Sequence, residues 1–273
     1  MQFGICNEIF KDWKLEEAMR FARGAGYDAI EIAPFTLANY VTEIPAVARR
    51  EIREAAARVG IAISGIHWVL VQAEGMYVNH PDSFVRERTS RYFRDLVDFC
   101  ADIGGRTIVI GSPKQRNVMD GVAPAQAWAW ATNTFREAVG HAGERDVTLC
   151  FEPLAPSETN FINTAEEAIR FVRQHGSPHF KIILDVKAMC SEAKPIPQII
   201  RESWPHFAYF HANDQNLKGP GFGAVDFQPI AAALREVGYD GTVSVEVFKF
   251  EEGPEAIATR SIDYLKRVFR PSP

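Results

Sequence analysis

The sequence has little of three features that would each define a class of protein. It contains no run of about 18 apolar residues, which excludes a membrane-spanning helix on sequence grounds. It carries 30 Lys and Arg against 35 Asp and Glu, so the basic face typical of nucleic-acid binding is not expected. Its first residues, MQFGICNEIF, lack the charged, apolar and small-residue order of a signal peptide, and we therefore expect a cytoplasmic protein.

Cysteines and glycine-rich motifs are also scarce. No Gly-x-Gly-x-x-Gly follows the first apolar run, which excludes the usual dinucleotide-binding fold. The cysteines fall at no metal-ligand spacing, which indicates reduced, buried thiols rather than a disulfide framework or a zinc site. The sequence has four of them, namely Cys6, Cys100, Cys150 and Cys190.

Short apolar runs alternate with amphipathic stretches along the whole chain. The runs span residues 3–8, 28–34, 62–70, 107–113, 148–154, 180–186, 207–214 and 243–248. The stretches span residues 15–26, 45–60, 82–104, 124–143, 164–174, 196–202, 227–238 and 254–268. Strands that alternate with helices predict a parallel sheet with right-handed crossovers. A barrel of this kind needs about 250 residues. We therefore predict a single α/β domain over residues 1–273, a (β/α)8 TIM barrel.

The same three-residue motif follows two of the predicted helices. Gly26-Tyr27-Asp28 follows the first helix, and Gly238-Tyr239-Asp240 follows the seventh. In both, glycine is predicted to end the helix and the aromatic residue to lead into the next strand. At the start of the fifth helix, Thr164 precedes two acidic residues, which predicts an N-cap. These junctions support the division into repeated strand–helix units.

Four polar residues stand at or near the C-terminal ends of the last four apolar runs. They are Glu152, Asp185, His211 and Glu246. Buried carboxylates are costly unless they are paired or bound to metal. The C-terminal ends of barrel strands meet at one face, where the chemistry of TIM barrels lies. Three carboxylates and one imidazole there predict one divalent metal ion. The oxygen donors favour Mn²⁺ or Mg²⁺, and the imidazole leaves Zn²⁺, Co²⁺ and Ni²⁺ open.

Several segments resemble the sugar phosphate isomerase/epimerase family, whose barrels are related to xylose isomerase and D-tagatose 3-epimerase. They are FEPLAPSETNFINT (151–164), ILDVKAM (183–189), FHANDQN (210–216) and VSVEVF (243–248). The resemblance covers essentially the whole chain. It implies that the four polar residues are the metal ligands, and that Glu152 and Glu246 are also an acid/base pair on opposite faces of the sugar. It further implies a homodimer or homotetramer. On the predicted fourth helix, exposed Trp128 and Trp130 are candidate subunit contacts, although a tryptophan on a barrel helix more often packs onto the sheet.

Substrate contacts are expected around these ligands. By resemblance, Glu158 contacts the substrate or supports the metal. His67 and Trp68 end the third run, where the imidazole suits a sugar hydroxyl and the indole suits the apolar face of a sugar. Glu31 is expected to orient a ligand or to pair with Lys187 or Arg116. The basic residues Lys114 and Arg116 follow the fourth run and are expected to attract an anionic or hydroxylated substrate or, as is usual for basic loop residues, to be solvated.

The sequence departs from the ketohexose epimerases at two positions. Ala188 stands where these enzymes have a substrate-contacting histidine, and Leu217 stands where they have an arginine. We therefore expect a different mode of substrate recognition, through Lys187, Lys218 or His67.

The function predicted is that of a divalent-metal-dependent isomerase or epimerase of a keto-sugar or related polyol. A proton would be removed beside a carbonyl polarised by the metal, giving an enediolate. A lyase of the inosose or dehydroshikimate dehydratase type, a hydroxypyruvate isomerase and a non-catalytic sugar-binding barrel remain as alternatives. The related nuclease, endonuclease IV, needs a multinuclear zinc cluster, whereas this acidic chain has only seven histidines.

Overall fold

Eight parallel strands close into a barrel in the computed structural model, which describes residues 1–269. The strands are β1 Gln2–Cys6, β2 Ala29–Ile32, β3 Ala62–Ile66, β4 Thr107–Ile110, β5 Thr148–Phe151, β6 Phe180–Asp185, β7 Phe207–Ala212 and β8 Thr242–Val245. Each strand pairs with its neighbour in sequence, and β1 pairs with β8, with Gln2 opposite Thr242. The predicted (β/α)8 TIM barrel is therefore confirmed, although residues 270–273 of the predicted domain lie outside the described residues.

Helices cover the outside of the barrel, as the amphipathic stretches predicted. They are α1 Leu15–Ala25, α2 Ala46–Val59, α3 Ser83–Asp102, α4 Pro124–Glu144, α5 Ala165–Arg173, α6 Val186–Met189, α7 Ile196–Ser203, α8 Phe227–Glu236 and α9 Pro254–Phe269. The short helix α6 was not predicted. It begins at Asp185, whose carboxylate accepts a hydrogen bond from the backbone N–H of Ala188. Short 3₁₀ turns also occur in the loops, at Asn7–Phe10, Pro34–Thr36, Val41–Glu43 and Pro113–Gln115.

Side chains along each strand alternate between the outside and the inside of the barrel, so the core has two layers. One layer packs the outer faces of the strands against the helices, and aromatic residues such as Phe135, Phe151 and Phe171 dominate part of it. A smaller cluster fills the barrel interior, formed by Val109, Cys150, Ile183 and Tyr209. Successive strand side chains point to opposite faces. The residues two positions further along these strands therefore also point inward, at the C-terminal mouth.

The predicted helix junctions are present. Gly26 and Gly238 have φ values of 103° and 73°, a left-handed conformation that costs glycine little. The tyrosines that follow them, Tyr27 and Tyr239, are buried. Thr164 accepts a hydrogen bond from the backbone N–H of Glu167, as expected of an N-cap.

The expectation that Trp128 and Trp130 are exposed was wrong. Both are half-buried, because Trp128 packs against Phe161 and Phe171, and the guanidinium of Arg86 covers the Trp130 ring. They pack onto the protein's own surface, so neither indicates a subunit contact. All four cysteines are free thiols, three of them buried. Among the helices of residues 1–269, none has the length and apolar content needed to cross a membrane.

Candidate metal centre and active site

The four predicted ligands meet at the mouth of the barrel. Each offers one donor atom, and these four atoms lie within 4.8 Å of one another. The side chains are almost inaccessible, with exposures of 5%, 0%, 0% and 3% for Glu152, Asp185, His211 and Glu246. We call these four residues the ligand cluster. Strands β5 to β8 contribute one residue each, at or directly after the strand end.

The carboxylates of the ligand cluster oppose one another's ionisation. Burial and the neighbouring carboxylates of Asp185 and Glu246 raise the pKa of Glu152 to about 8. Burial also raises the pKa of Asp185, with Glu246 adding to the effect. For Glu246 the effect of burial is outweighed by His211, and its pKa falls to about 2. Burial opposes protonation of His211, but the charges of Glu246 and Glu31 raise its pKa well above the ordinary value.

The Nδ1 atom of His211 faces the ligand cluster and makes no hydrogen bond there. The Nδ1 atom lies 3.1 Å from Glu246 Oε2, but the contact lacks hydrogen-bond geometry, and Nδ1 has no hydrogen-bond partner within residues 1–269. Buried nitrogen atoms are seldom left in this state. An imidazole nitrogen without a hydrogen-bond partner, together with three carboxylates, forms a donor set that fits one divalent ion.

Two neighbours hold the carboxylates of the ligand cluster in place. Gly111 follows β4, and a Cβ atom added there would lie 1.7 Å from Glu152 Oε2, so glycine leaves the space that this carboxylate occupies. Asn213 follows β7, and its amide nitrogen donates to Asp185 and to Glu246. The amide oxygen of Asn213 also accepts from the backbone N–H of Lys187. The role of Asn213 was missed in the sequence, because nothing in its strand-end position distinguishes it from a loop asparagine.

Three of the residues expected to contact substrate lie beside the ligand cluster. The indole N–H of Trp68 donates to Glu246 Oε1 at 2.8 Å. The ammonium group of Lys187 lies 2.8 Å from Glu158 Oε1 and 4.1 Å from the centre of the Phe248 ring. Burial opposes the charge of Lys187, but Asp185 and Glu158 outweigh it and raise its pKa. Lys187 is therefore a buried cation close to the cluster.

The other two expected substrate residues lie in different surroundings. His67 is fully buried, with Nε2 2.9 Å from Glu8 Oε2 and Nδ1 3.5 Å from Glu31 Oε1. Lys218, in the loop after β7, pairs with Glu252 in the loop after β8. A substrate contact of either residue stays a prediction.

A second group of charged residues lies on the opposite side of the mouth, on β1 to β3. We call Glu8, Glu31 and His67 the support cluster, because His67 contacts both carboxylates. Burial opposes the ionised form of Glu31, but His211 and His67 lower its pKa to about 2. For His67, the effect of burial is outweighed by Glu8 and Glu31, which raise its pKa to about 9. Glu31 was expected to orient a ligand or to pair with Lys187 or Arg116, and the pairing was wrong because its ion-pair contacts are to His67 and His211.

The sequence predicted no role for Glu8 and did not predict the burial of Arg116. Glu8 lies in the first strand's C-terminal turn, and the position at a strand end was the signal available for it. Arg116 was expected in a solvated loop but is 1% exposed. Its Nη1 donates to the carbonyl oxygen of Glu152 at 2.7 Å, and its guanidinium lies over the Phe151 ring. This buried arginine therefore fixes the backbone of the segment that carries Glu152.

An apolar groove opens beside the mouth and reaches Trp68. It has a volume of about 640 Å³ and lies between the segments that follow β8, β1, β2 and β3. Glu8 contributes to its lining, and two lysines and an aspartate stand at its edge, Lys11, Lys14 and Asp12. Six aromatic rings line it, namely those of Phe10, Trp13, Phe35, Trp68, Phe248 and Phe250. Because Trp68 also contacts Glu246, the groove adjoins the ligand cluster.

The closed barrel and the acidic cluster with one imidazole at its mouth define the class of this protein, a TIM barrel with a buried site suited to a divalent ion. Residues 19–268 match the model of the xylose isomerase-like TIM barrel family. The chain belongs to this family, as the sequence resemblance implied.

Individual relatives carry the names of sugar epimerases. A D-psicose 3-epimerase of Enterocloster bolteae is 30% identical over 93% of this chain and 84% of its own length. A 3-dehydro-D-guloside 4-epimerase of Escherichia coli is 23% identical over 97% of this chain and 99% of its own length. The crystal structure of a D-psicose 3-epimerase with D-tagatose from Clostridium cellulolyticum H10 superposes with a TM-score of 0.87, covering 99% of this chain and 100% of that one, at 22% identity. This superposition supports the fold.

Proposed function

We propose that this protein is a divalent-metal-dependent epimerase of a keto-sugar. The observation that carries the proposal is the ligand cluster, whose four donor atoms lie within 4.8 Å of one another at the face where TIM barrels do their chemistry. The names of the relatives, which are epimerases of ketoses or keto-glycosides, support the choice of reaction. Glu152, Asp185, His211 and Glu246 would hold the ion, for which we propose Mn²⁺ or Mg²⁺.

The protein's own carboxylates would move the proton. The chemistry that a divalent ion supplies when bound here is polarisation of a ketone oxygen and stabilisation of negative charge on it. Glu246, oriented by the indole N–H of Trp68, would remove the proton from the carbon next to the ketone. Glu152 would return a proton to the opposite face of the same carbon, which inverts its configuration. One C–H bond breaks and one forms, so no co-reactant is needed.

Lys187 and Glu158 would bind the substrate's hydroxyl groups. Their ion pair is largely buried next to Phe248, so both groups are fixed in orientation before a substrate arrives. This pair would take over part of the role that Ala188 and Leu217 are unable to play, since neither side chain has a polar group.

The test is exchange of substrate hydrogen with solvent. Mn²⁺-loaded protein would be incubated in deuterated water with a panel of keto-sugars, inososes and hydroxypyruvate, and recovered material analysed by mass spectrometry and NMR. We expect one deuterium at a carbon next to the ketone in a substrate and its epimer. Loss of water from an inosose would instead identify a lyase, and conversion of hydroxypyruvate would identify the corresponding isomerase. No exchange with any compound would contradict the proposal.

A second candidate, a 4-epimerase of a keto-glycoside, is favoured by the apolar groove. Pockets of about 300–1,000 Å³ enclose ligands larger than a single short polyol chain. Aromatic rings suit the apolar face of a ring, whereas the hydroxyl groups of an open chain would lose hydrogen bonds in such surroundings. The groove adjoins Glu246 through Trp68, so an aglycone seated there would place the sugar ring at the cluster.

The two candidates differ in the expected effect of the aglycone. An aryl 3-keto-glucoside and free 3-keto-glucose would be compared as substrates, with the Phe250→Ala variant and the distant control Phe84→Ala, since both phenylalanines are exposed. For the glycoside candidate we expect a preference for the aryl compound that falls about threefold to tenfold in Phe250→Ala and is unchanged in Phe84→Ala. Equal kcat/KM for the two compounds would favour the free keto-sugar. The expected homodimer or homotetramer stays a prediction, to be measured by sedimentation.

A further inference from the structure

Glu31 lies directly behind His211, on the side of the ring that faces away from the ligand cluster. His211 Nε2 is 3.2 Å from Glu31 Oε1 and 3.1 Å from Glu31 Oε2. Its other ring nitrogen, Nδ1, faces the cluster and has no hydrogen-bond partner in the described chain, residues 1–269. Both side chains are fully buried. The two nitrogens of one imidazole therefore have separate surroundings, a carboxylate behind and the cluster in front.

We propose that Glu31 is a positioning residue that sets the tautomer and orientation of His211 for the divalent ion. By accepting the Nε2–H bond, Glu31 leaves the lone pair on Nδ1, directed at the other three donors. A carboxylate behind a histidine ligand also makes the imidazole a better donor. This inference rests on the metal site of the proposed function, but it concerns a residue outside the ligand cluster.

Glu31 is itself anchored. The hydroxyl group of Tyr209 donates to Glu31 Oε2 at 2.9 Å, and the thiol of Cys6 lies 3.5 Å from the same oxygen. On the other side, His67 Nδ1 lies 3.5 Å from Oε1. A buried carboxylate held from three directions is unable to turn away, so it constrains the imidazole more tightly than a solvated partner would.

Two effects of Glu31 have to be separated, its charge and its position. The carboxylate adds a negative charge near the cluster, which by itself would favour a cation. Glu31→Gln removes the charge and leaves an amide of similar shape, whose NH₂ group is able to face the imidazole. Glu31→Asp keeps the charge but withdraws it by one methylene group, so a loss in this variant reports position. Glu8→Gln is the matched control, because it removes a carboxylate that contacts His67 and not His211.

The experiment is a titration of the metal-stripped protein with Mn²⁺, in which free Mn²⁺ is measured by electron paramagnetic resonance. We expect about 10-fold to 100-fold weaker binding by Glu31→Gln. We expect a smaller loss in Glu31→Asp and a change of less than about twofold in Glu8→Gln. Pulsed electron paramagnetic resonance of bound Mn²⁺ would report the coupling between the ion and the ring nitrogen of His211. This coupling should be altered in Glu31→Gln. Thermal unfolding of each metal-free variant controls for fold, and Glu31→Asp carries the test if Glu31→Gln does not fold.

The possible failures are distinguishable. Binding by both Glu31 variants with the affinity and nitrogen coupling of the wild type would overturn this inference alone. Equal losses in Glu8→Gln and Glu31→Gln would also overturn it, because they would indicate a general effect of charge. No binding of Mn²⁺ by the wild-type protein would overturn the metal site of the proposed function, and this inference with it.

Discussion

The two clusters at the barrel mouth are both largely buried but differ in how their charges are arranged. In the support cluster, carboxylates and imidazoles alternate from Glu8 through His67 and Glu31 to His211. In the ligand cluster, three carboxylates share one imidazole. The pKa of Glu31 is therefore lowered to about 2, whereas that of Glu152 is raised to about 8. Burial opposes ionisation in both, so the difference comes from the neighbours.

This difference separates carboxylates that have partners within the protein from carboxylates that call for a cation from outside. Each carboxylate of the support cluster already has a cationic or hydrogen-bonding partner. The ligand cluster sets three carboxylates against one imidazole. Within residues 1–269, each cluster also has one imidazole Nδ1 without a hydrogen-bond partner, that of His67 in the support cluster and that of His211 in the ligand cluster, so the balance of charge is what distinguishes the two. Variants in the two clusters should therefore differ in metal binding, in turnover and in the stability of the metal-free protein.

The largest expected difference is in turnover. Glu246→Gln should abolish substrate deuterium exchange, by at least about 10³-fold, because the amide is unable to accept the proton. Glu152→Ala should weaken the binding of metal and also block return of the proton to the opposite face, whereas His211→Ala should act mainly by weakening the binding of metal. Exchange rates at saturating Mn²⁺ would be measured for each, with Glu8→Gln as the control in the support cluster. Retained turnover by well-folded Glu246→Gln would exclude this glutamate as the base.

Removal of the metal should destabilise the protein through the ligand cluster. With free Mn²⁺ at 100 times its dissociation constant, the free energy of unfolding should exceed that of the chelator-treated protein by about 2.7 kcal/mol. Urea denaturation with and without chelator measures this difference. His211→Ala should lose most of it, whereas Glu8→Gln should keep it. The same chelator effect in both variants would place the ion elsewhere.

Gly111 allows a test of the ligand cluster without a change of charge. In Gly111→Ala, the added methyl group would occupy the position of Glu152 Oε2, so we expect about 10-fold weaker binding of Mn²⁺. Isothermal titration calorimetry of the metal-stripped protein would measure this. The control is Gly140→Ala on α4, where an added Cβ has no heavy atom within 4 Å. Equal affinities of the two variants would show that the Glu152 position is not critical.

The smallest expected effect concerns the stability of the metal-free protein and its dependence on pH. The pKa of Glu152 is raised from 4.5 to about 8, so the folded state keeps a proton that the unfolded state loses between these values. The wild type should therefore lose stability as the pH rises through this window. Glu152→Gln should lack this loss and be more stable than the wild type by at least about 1 kcal/mol at pH 8. Denaturation at pH 5 and pH 8 would measure it, and parallel profiles would contradict it.

Much of the fold and of the ligand cluster was predictable from local patterns. Asp185 and His211 stand two residues after the inward-facing Ile183 and Tyr209, so the period of a strand directs them inward. The helix ends at Gly26 and Gly238 were predictable for a similar reason, since they depend on the conformation of a single residue.

The surroundings of Glu31 and Arg116 were not predictable in this way. Glu31 was expected to orient a ligand or to pair with Lys187 or Arg116, and nothing in the sequence indicated its contact with His211, which is 180 residues away. Arg116 has the composition of a solvated loop residue, and only the packing of the loop after β4 against Phe151 buries it. Contacts of this kind depend on how loops pack. Loops lack the regular side-chain alternation by which strands and helices can be recognised in a sequence.

The sequence by itself determined the alternation of strands and helices, the parallel barrel and the inward direction of the four candidate ligands, because these follow from local periods of side-chain burial. Only the tertiary structure decided which charged groups became neighbours. Closure of the barrel brings β2 and β3 to face β7 and β8, so that Glu31 meets His211 and Trp68 meets Glu246 across the mouth. Electrostatic energy depends on these distances through space, which no spacing along the chain specifies.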